Sequence, residues 1–207
     1  MQNNVVFWSD DALQNIQSAL EQAALIVGTS DTVFGFLAVP TQAGFEVLNR
    51  VKGRSEKPYL VLVGSQQDAL ALCAEQDRQK LQRLMSHFWP GPLTLIVRAK
   101  ESVPSYMKSK EGTIAMRLPD HTGLQKLLKR IPVLFSTSAN YAGHPVPHDK
   151  KDVDPTIIAQ CAYFVLDEHS QSQPSLPSTI LDCTEEPFKI VREGAISRAR
   201  IAQVCDQ

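Results

Sequence analysis

The chain has 207 residues, 43% of them hydrophobic and 21% charged, which is typical of one globular domain of ordinary size. The net charge of −1 argues against a protein that coats nucleic acid non-specifically, because such coating needs a strong basic excess. No apolar run approaches the ~20 residues of a membrane span, and the first nine residues lack the basic start of a signal peptide, so we expect a cytoplasmic protein with no membrane partner.

The cysteines and histidines predict no metal site. Four cysteines lie far apart and form no Cys-x-x-Cys pair: Cys73, Cys161, Cys183 and Cys205. This spacing is typical of reduced thiols and argues against a zinc ribbon, so each is expected to be a small buried hydrophobe. His144 and His148 are separated and flanked by prolines that exclude a shared helical face, so no metal cage of protein ligands is predicted.

The hydrophobic pattern predicts alternating helices and strands. In chain order these are helix 12–24 (capped by Asp10 or Asp11), strand 25–27, helix 44–51, strand 59–63, helices 68–73 and 77–87, strands 93–97 and 113–118, helix 122–130, strand 133–135, helix 153–160, strands 163–166, 179–182 and 188–191, and helix 197–204. We therefore predict a single α/β domain over residues 1–207, with a twisted, mixed, mostly buried sheet flanked by helices. The polar stretches 142–152 and 167–177 are long for loops and are interpreted as functional flaps.

Small polar residues follow the predicted strands at two points. The run Ser136-Thr137-Ser138-Ala139-Asn140 follows an apolar stretch, and Thr29-Ser30-Asp31-Thr32 follows Gly28. In open α/β sheets, ligands bind beyond the carboxyl ends of strands, where small residues admit the ligand and hydroxyls orient it. The other interpretation of each run is a loop that caps the next element.

Several cations are also predicted near strand ends. Arg117 lies inside an apolar run, where an unpaired guanidinium is costly, so it should meet an anion or an acidic side chain. Arg192 ends another strand, and three cations precede strand 59–63: Lys52, Arg54 and Lys57. Each charge alone is more often solvated, but together they predict a site for a polyanionic small molecule such as ATP. No nucleophile motif or glycine-rich phosphate loop accompanies them.

Eight short motifs resemble those of the YrdC family in their order and spacing, across nearly the whole chain. They are Thr29-Ser30-Asp31-Thr32-Val33-Phe34-Gly35, Lys52-Gly53-Arg54, Lys57-Pro58, Trp89-Pro90-Gly91-Pro92-Leu93-Thr94, Arg117-Leu118-Pro119-Asp120-His121, Ser136-Thr137-Ser138-Ala139-Asn140, Pro177-Ser178-Thr179-Ile180 and Val191-Arg192-Glu193-Gly194. The length resembles that of the short bacterial members, which lack an extra C-terminal domain.

The resemblance implies an L-threonylcarbamoyl-AMP synthase, a nucleotidyltransferase that condenses L-threonine, bicarbonate or CO₂, and ATP with its Mg²⁺, and releases pyrophosphate. The product would serve threonylcarbamoyladenosine formation in tRNA, with tRNA and tRNA-modification proteins as partners. By the family pattern, threonine would be bound by Thr32, Arg117, Ser136 and Ser178. ATP would be bound by Lys52, Arg54, Lys57, Thr113, Ser138, Asn140 and Arg192, and the catalytic charges would be Lys52, Arg54 and Arg117.

The first polar run departs from the family pattern. Thr29 and Ser30 stand where Pro and Thr are usual, and Phe34 replaces a Tyr, which leaves an altered substrate preference open. Two other interpretations stay open: a double-stranded RNA- or tRNA-binding module of the same fold without synthase activity, and an α/β nucleotide-binding enzyme of another type, such as a carbamoyl transferase. The stretch 144–148 is expected to close over the site.

Overall fold

A computed structural model describes residues 4–53, 58–74, 78–168 and 176–205. In chain order its elements are β1 (Asn4–Phe7), α1 (Asp10–Glu21), β2 (Ile26–Gly28), β3 (Gly35–Ala38), α2 (Gln42–Lys52), β4 (Leu60–Val63), α3 (Gln66–Leu72), α4 (Arg78–Phe88), β5 (Leu93–Arg98), β6 (Thr113–Arg117), α5 (Thr122–Leu128), β7 (Val133–Ser138), α6 (Pro155–Ile158), β8 (Tyr163–Leu166), β9 (Thr179–Asp182), β10 (Lys189–Arg192) and α7 (Arg198–Cys205). Two 3₁₀ turns cover Ser105–Met107 and Lys150–Asp152.

The strands form one mixed sheet of ten strands, in the order β1-β8-β2-β3-β7-β4-β6-β5-β9-β10. The pairs β1–β8, β2–β8, β4–β6 and β5–β9 are parallel. The pairs β2–β3, β3–β7, β4–β7, β5–β6 and β9–β10 are antiparallel. The predicted α/β domain with a mixed sheet flanked by helices is therefore confirmed.

The two faces of the sheet are covered differently. On the first face, strand residues such as Val61, Met116 and Phe135 belong to the larger apolar core, which includes residues of α2, α3, α4 and α7. On the second face, a smaller core joins strand residues Leu37, Leu62 and Leu134 to the buried stripes of α1 and α5. Because successive strand residues point to opposite faces, each strand contributes to both sides of the sheet.

Strand β7 is longer than the apolar pattern predicts. The prediction of a loop directly after residue 135 is wrong, because β3 provides a hydrogen-bonded partner for the polar residues that follow: Ser136 pairs with Leu37, and Ser138 pairs with Gly35. Neither β3 nor β1 was predicted, so the partner that extends β7 was also missed. A strand can carry hydroxyl side chains when its backbone N–H and C=O groups are hydrogen-bonded to a neighbouring strand, because those groups then need no side-chain partner.

Two helices also differ from their predictions. Ser9, and not Asp10 or Asp11, is the N-cap of α1, and its hydroxyl accepts from the Ala12 N–H at 3.2 Å. The two aspartates lie in the first turn, where negative charge is favourable to the helix dipole. The helix predicted over 153–160 is reduced to the single turn of α6, with Asp154 as its N-cap.

The four cysteines differ in their burial. Three are buried, and burial raises the pKa of the Cys161 thiol to about 12. Cys205 is exposed, so the prediction of a buried thiol is wrong there, because Ile201 and Val204 take the inward positions in the last turns of α7. Among the helices of the described ranges, none is both long enough and apolar enough to span a membrane.

Candidate functional site

A cavity of about 260 Å³ lies on the second face of the sheet. Seven neighbouring strands border it, from β3 to β10 in the sheet order, and the lining residues on or next to them are Gly35, Ser136, Thr137, Ser138, Leu60, Ala115, Arg117, Thr94, Ser178, Ile180 and Arg192. Arg117, Ser138 and Arg192 do end β6, β7 and β10, as predicted, and the position of a ligand there stays a prediction. In a mixed sheet the carboxyl ends do not meet at one edge, and the polar residues converge instead on a face.

The polar side chains that line the cavity are hydroxyls and two guanidiniums. The hydroxyls belong to Ser30, Thr32, Thr94, Ser136, Thr137, Ser138 and Ser178, and the guanidiniums to Arg117 and Arg192. Within the described ranges, no carboxylate is part of this lining. Burial and, to a lesser extent, the charge of Arg117 lower the pKa of the Arg192 guanidinium. Two mutually repelling cations in such a cavity favour an anionic ligand.

Arg117 ends β6 and is buried. Its Nη1 donates to Asp31 Oδ1 at 2.6 Å, which confirms the prediction that this arginine meets an acidic side chain. Its Nη2 lies 3.4 Å from Thr32 Oγ1, and its Nε has no hydrogen-bond partner among the described residues. A buried donor without a partner is rare in folded proteins, and a carboxylate is the acceptor that a guanidinium binds best.

A second polar group joins β5, β9 and β10. The hydroxyls of Thr94 and Ser178 lie 2.8 Å apart, and both residues are buried. Arg192 donates from Nη2 to the Ser178 carbonyl at 2.8 Å and from Nε to the same oxygen at 3.2 Å. The segment before β9 thus holds the Arg192 guanidinium at the cavity and keeps the Ser178 hydroxyl beside it.

A β-bulge in β10 turns Arg192 toward the cavity. Ile190 pairs with Leu181 and Arg192 pairs with Ile180, so Val191 is an extra residue in the strand. In a regular strand, Ile190 and Arg192 would point to the same face. With the bulge, Ile190 packs against the larger core with Leu181, whereas Arg192 lines the cavity with Ile180.

Lys52 holds the end of β7 in place. Its Nζ donates to the carbonyls of Ser138 and Asn140, both at 2.8 Å, and to Asn140 Oδ1 at 2.9 Å. Asn140 Oδ1 also accepts from the Ser138 hydroxyl at 2.6 Å. Neither Lys52 nor Asn140 is part of the described lining, so their binding of ATP stays a prediction, while the contacts show a positioning role.

The remaining predicted ATP ligands are Thr113, Arg54 and Lys57. Thr113 begins β6, and its hydroxyl lies 2.8 Å from that of Ser109, outside the lining but on the strand face shared by Ala115 and Arg117. Arg54 and Lys57 lie outside the described residues. Their roles, like that of Thr113, stay predictions.

The loops on either side of the cavity contribute to its wall. The Ser30 hydroxyl donates to the Val33 carbonyl at 2.8 Å and accepts from the Thr32 N–H at 3.1 Å, so it shapes the loop between β2 and β3. Phe34, which stands where the family has a Tyr, is buried and packs against Phe164. Val146 lines the cavity from the loop expected to close over it.

Sequence reasoning missed three residues around the site. Thr94 was not predicted as a site residue, although a hydroxyl on an otherwise apolar strand indicates a polar surface. Asp31 was not recognised as the partner of Arg117. His121 was not predicted to have a polar partner, but its Nδ1 accepts from the Leu124 N–H at 3.2 Å and its Nε2 lies 3.0 Å from Asp167 Oδ1.

Known proteins resemble this chain in sequence and in fold. The sequence profile of the Sua5/YciO/YrdC family, described as telomere recombination, matches residues 18–194. A Mycobacterium tuberculosis protein is 30% identical over 188 residues, which cover 90% of this chain and 85% of that one. A Neisseria gonorrhoeae protein named threonylcarbamoyl-AMP synthase is 26% identical over 145 residues, which cover 69% of this chain and 77% of that one.

Two solved structures share the fold. Pyrococcus abyssi Sua5 complexed with L-threonine matches with a TM-score of 0.82 and 24% identity, over 98% of this chain and 59% of that one. Escherichia coli YciO matches with a TM-score of 0.80 and 18% identity, over 95% of this chain and 97% of that one. The chain thus spans less than two thirds of the Sua5 chain and nearly all of YciO.

Proposed function

The chain belongs to the Sua5/YciO/YrdC family, and we propose that it is an L-threonylcarbamoyl-AMP synthase, a nucleotidyltransferase acting on L-threonine, bicarbonate or CO₂, and ATP. One observation carries the proposal: a hydroxyl-lined cavity contains Arg117 and Arg192, and none of its described lining residues is acidic. ATP and bicarbonate are anions, and threonine carries a carboxylate, so this lining complements their negative groups.

The proposed reaction has two steps. The threonine amine, as the free base, forms an N–C bond with CO₂ and releases a proton to solvent, or forms that bond with bicarbonate and releases water; either route gives a carbamate. A carbamate oxygen then forms a bond to the α-phosphorus of ATP, and the bond between that phosphorus and the bridging oxygen breaks to release pyrophosphate. Both steps need reactants held together and negative charge offset, which hydroxyls and guanidiniums supply without a protein nucleophile.

The threonine half of the proposed site surrounds Arg117. Its Nε, which lacks a partner among the described residues, and its weakly engaged Nη2 are suited to the threonine carboxylate. The hydroxyls of Thr32, Ser136 and Ser178 line the same cavity and would orient the rest of the amino acid. That P. abyssi Sua5, which has the same fold, was solved with L-threonine supports this assignment.

The ATP half of the proposed site surrounds Arg192. Its charge would offset the phosphates, and Ser138 would bind beside them at the end of β7. Lys52 and Asn140 would act by fixing that end, and Arg54, Lys57 and Thr113 would contribute charge and a hydroxyl. Because no carboxylate lines the described cavity, Mg²⁺ would enter coordinated by the ATP phosphates rather than held by protein side chains.

We also propose that the product serves threonylcarbamoyladenosine formation in tRNA, with tRNA and tRNA-modification proteins as partners. A threonylcarbamoyl adenylate is a mixed anhydride of a carbamate and a phosphate. It is therefore an activated group donor, and its consumption requires a transfer reaction to a nucleophile such as the amine of a nucleic-acid base. The names of the relatives, as threonylcarbamoyl-AMP synthases, support this proposal only through that chemistry.

The test is product formation by the full chain. Purified protein is incubated with MgATP, L-threonine and isotope-labelled bicarbonate, and threonylcarbamoyl-AMP and pyrophosphate are measured by mass spectrometry and a coupled assay. Label should enter the adenylate only when all three substrates are present. Arg98→Met is a suitable control variant, since Arg98 is half-exposed and its pairing with Glu185 lies at the surface.

The alternative of an RNA-binding module predicts a different result. Such a protein would bind double-stranded RNA or tRNA in a salt-sensitive manner and would form no adenylate. Salt-sensitive RNA binding without product formation would therefore replace the synthase proposal.

A further inference from the structure

The ion pair between Arg117 and Asp31 joins a residue of the cavity lining, Arg117, to a carboxylate behind it. Its side chains are 3% and 9% exposed, and the joining N–O distance is 2.6 Å. The second oxygen of Asp31 accepts the backbone N–H of Asp120 at 3.1 Å. Asp31 is not part of the described lining, so both of its oxygens serve the fold, and it ties the loop before β3 to the segment after β6.

We propose that Asp31 is a positioning residue that sets the plane of the Arg117 guanidinium for the carboxylate of the amino-acid substrate, an inference that rests on the proposed function. A guanidinium is rigid and planar, so fixing one of its nitrogens restricts the directions in which the others donate. Asp31 uses Nη1, which leaves Nε and Nη2 as the pair of donors for one carboxylate.

The positions of the neighbouring groups support this role. Thr32 Oγ1 lies 3.4 Å from Arg117 Nη2, a long contact that a substrate oxygen could replace. Thr32 directly follows Asp31 in the chain. The loop that carries Asp31 is itself fixed by the Ser30 hydroxyl. One short loop therefore supplies both the carboxylate that holds Arg117 Nη1 and a hydroxyl near Arg117 Nη2.

A competing role for Asp31 makes the opposite prediction. If Asp31 only occupied Arg117 in place of the substrate carboxylate, removing its charge would strengthen threonine binding. If Asp31 positions Arg117, removing its charge weakens threonine binding, because the guanidinium loses its fixed plane although its charge is retained. The sign of the change in threonine affinity therefore separates the two roles.

The experiment measures kcat and KM for L-threonine and for ATP with wild-type protein, Asp31→Asn and Asp31→Glu, each checked for folding by circular dichroism. Asp31→Glu retains the charge but moves the carboxylate by one methylene, so it keeps the ion pair while shifting the guanidinium. Both variants should raise the threonine KM by at least about tenfold and change the ATP KM by less than about twofold. Asp120→Asn is the matched control, because only its backbone contacts Asp31 and its side chain is exposed.

A double-mutant cycle with Arg117→Met tests whether Asp31 acts through Arg117. In the Arg117→Met background, Asp31→Asn should lower kcat/KM for threonine by less than about twofold further. An unchanged or lowered threonine KM in Asp31→Asn and Asp31→Glu would overturn the positioning role alone, as would a full additive effect in the cycle. Wild-type protein that shows no threonine dependence would overturn the proposed function and this inference together.

Discussion

The second face of the sheet has two parts: a covered part, packed beneath α1 and α5, and an open part, which forms the candidate site. Strand β7 crosses both parts: Leu134 is fully buried in the smaller core beneath α1 and α5, whereas Ser136 and Ser138, on the same face, line the cavity. Between them, Phe135 points to the opposite face and is fully buried in the larger core. The candidate site therefore begins where helix cover ends, and the strand changes from leucine to serine at that point.

The neighbouring strands show the same change. On β3, Leu37 lies in the smaller core and Gly35 lines the cavity, and on β4 Leu62 lies in that core while Leu60 reaches the cavity. A Cβ on Gly35 would stand 3.2 Å from Ser136 Oγ and 3.3 Å from the Thr137 carbonyl. A side chain there would crowd the hydroxyl, so the open part of the face needs a small residue as well as polar ones.

The largest effect is expected for Arg117→Met in the open part. Kinetic assays should show kcat/KM for threonine reduced by about a hundredfold or more, because the bidentate carboxylate contact is lost. The free energy of unfolding should also fall by about 3–5 kcal/mol, since Asp31 is left buried without its partner. Arg98→Met, the surface control, should alter neither quantity appreciably; equal losses in the two variants would contradict the assignment.

Leu134→Ala, in the covered part of β7, should act on stability. Urea denaturation should show the free energy of unfolding lowered by about 2–5 kcal/mol, as expected for a cavity left in a packed core. At a temperature where the variant is folded, its threonine KM should stay close to that of the wild type. A large rise in KM without a loss of stability would remove the distinction between the two parts.

Arg192→Met should chiefly weaken ATP binding. We expect the ATP KM to rise by about tenfold, because a positive charge proposed to lie beside the phosphates is removed, with a smaller change in the threonine KM. Steady-state kinetics with each substrate varied in turn measure both constants. A threonine KM that rises more than the ATP KM would place Arg192 in the other half of the site.

Ser136→Ala should produce the smallest effect. The hydroxyl faces the cavity, and no described residue is its hydrogen-bond partner, so its removal should change the free energy of unfolding by less than about 1 kcal/mol. The threonine KM should rise by roughly threefold to tenfold, the value of one hydrogen bond to the ligand. The free energies of unfolding and threonine KM values of Ser136→Ala and Leu134→Ala then compare a binding residue with a structural residue on the same face of one strand.

Local patterns predicted most of the fold but not its pairing. Continuous apolar runs such as 59–63 and 163–166 were found because hydrophobic pattern is a local property. The strands β1 and β3 were missed, since Gly35–Ala38 is short and its strand character depends on pairing with distant Ser136 and Ser138. Such non-local pairing leaves no local signal.

The candidate site, too, could be predicted from local sequence only in part. The cost of a buried charge predicted that Arg117 has an acidic partner, but only the fold identifies Asp31, which is 86 residues away in the chain. The bulge at Val191 could not be predicted from sequence either, because it is defined by the register against β9. The charge pattern predicted a polyanion site, and the resemblance to a family supplied the division of its residues between threonine and ATP.

A second cavity supplies the control for the central claim that the open part of the sheet face binds threonine and ATP. This cavity, of about 250 Å³, lies between α4, α7 and the β9–β10 pair and is lined in part by Ala202. Ala115 lies on the floor of the candidate site. The same substitution, alanine to phenylalanine, can therefore be made in two cavities of similar size.

The most direct measurement is isothermal titration calorimetry of MgATP and L-threonine with wild-type protein, Ala115→Phe and Ala202→Phe, with melting temperatures recorded for each. Ala115→Phe should remain folded and lose measurable binding of at least one of the two ligands, whereas Ala202→Phe should bind both as the wild type does. Wild-type affinity for both ligands in folded Ala115→Phe, or loss of binding in Ala202→Phe alone, would contradict the placement of the site.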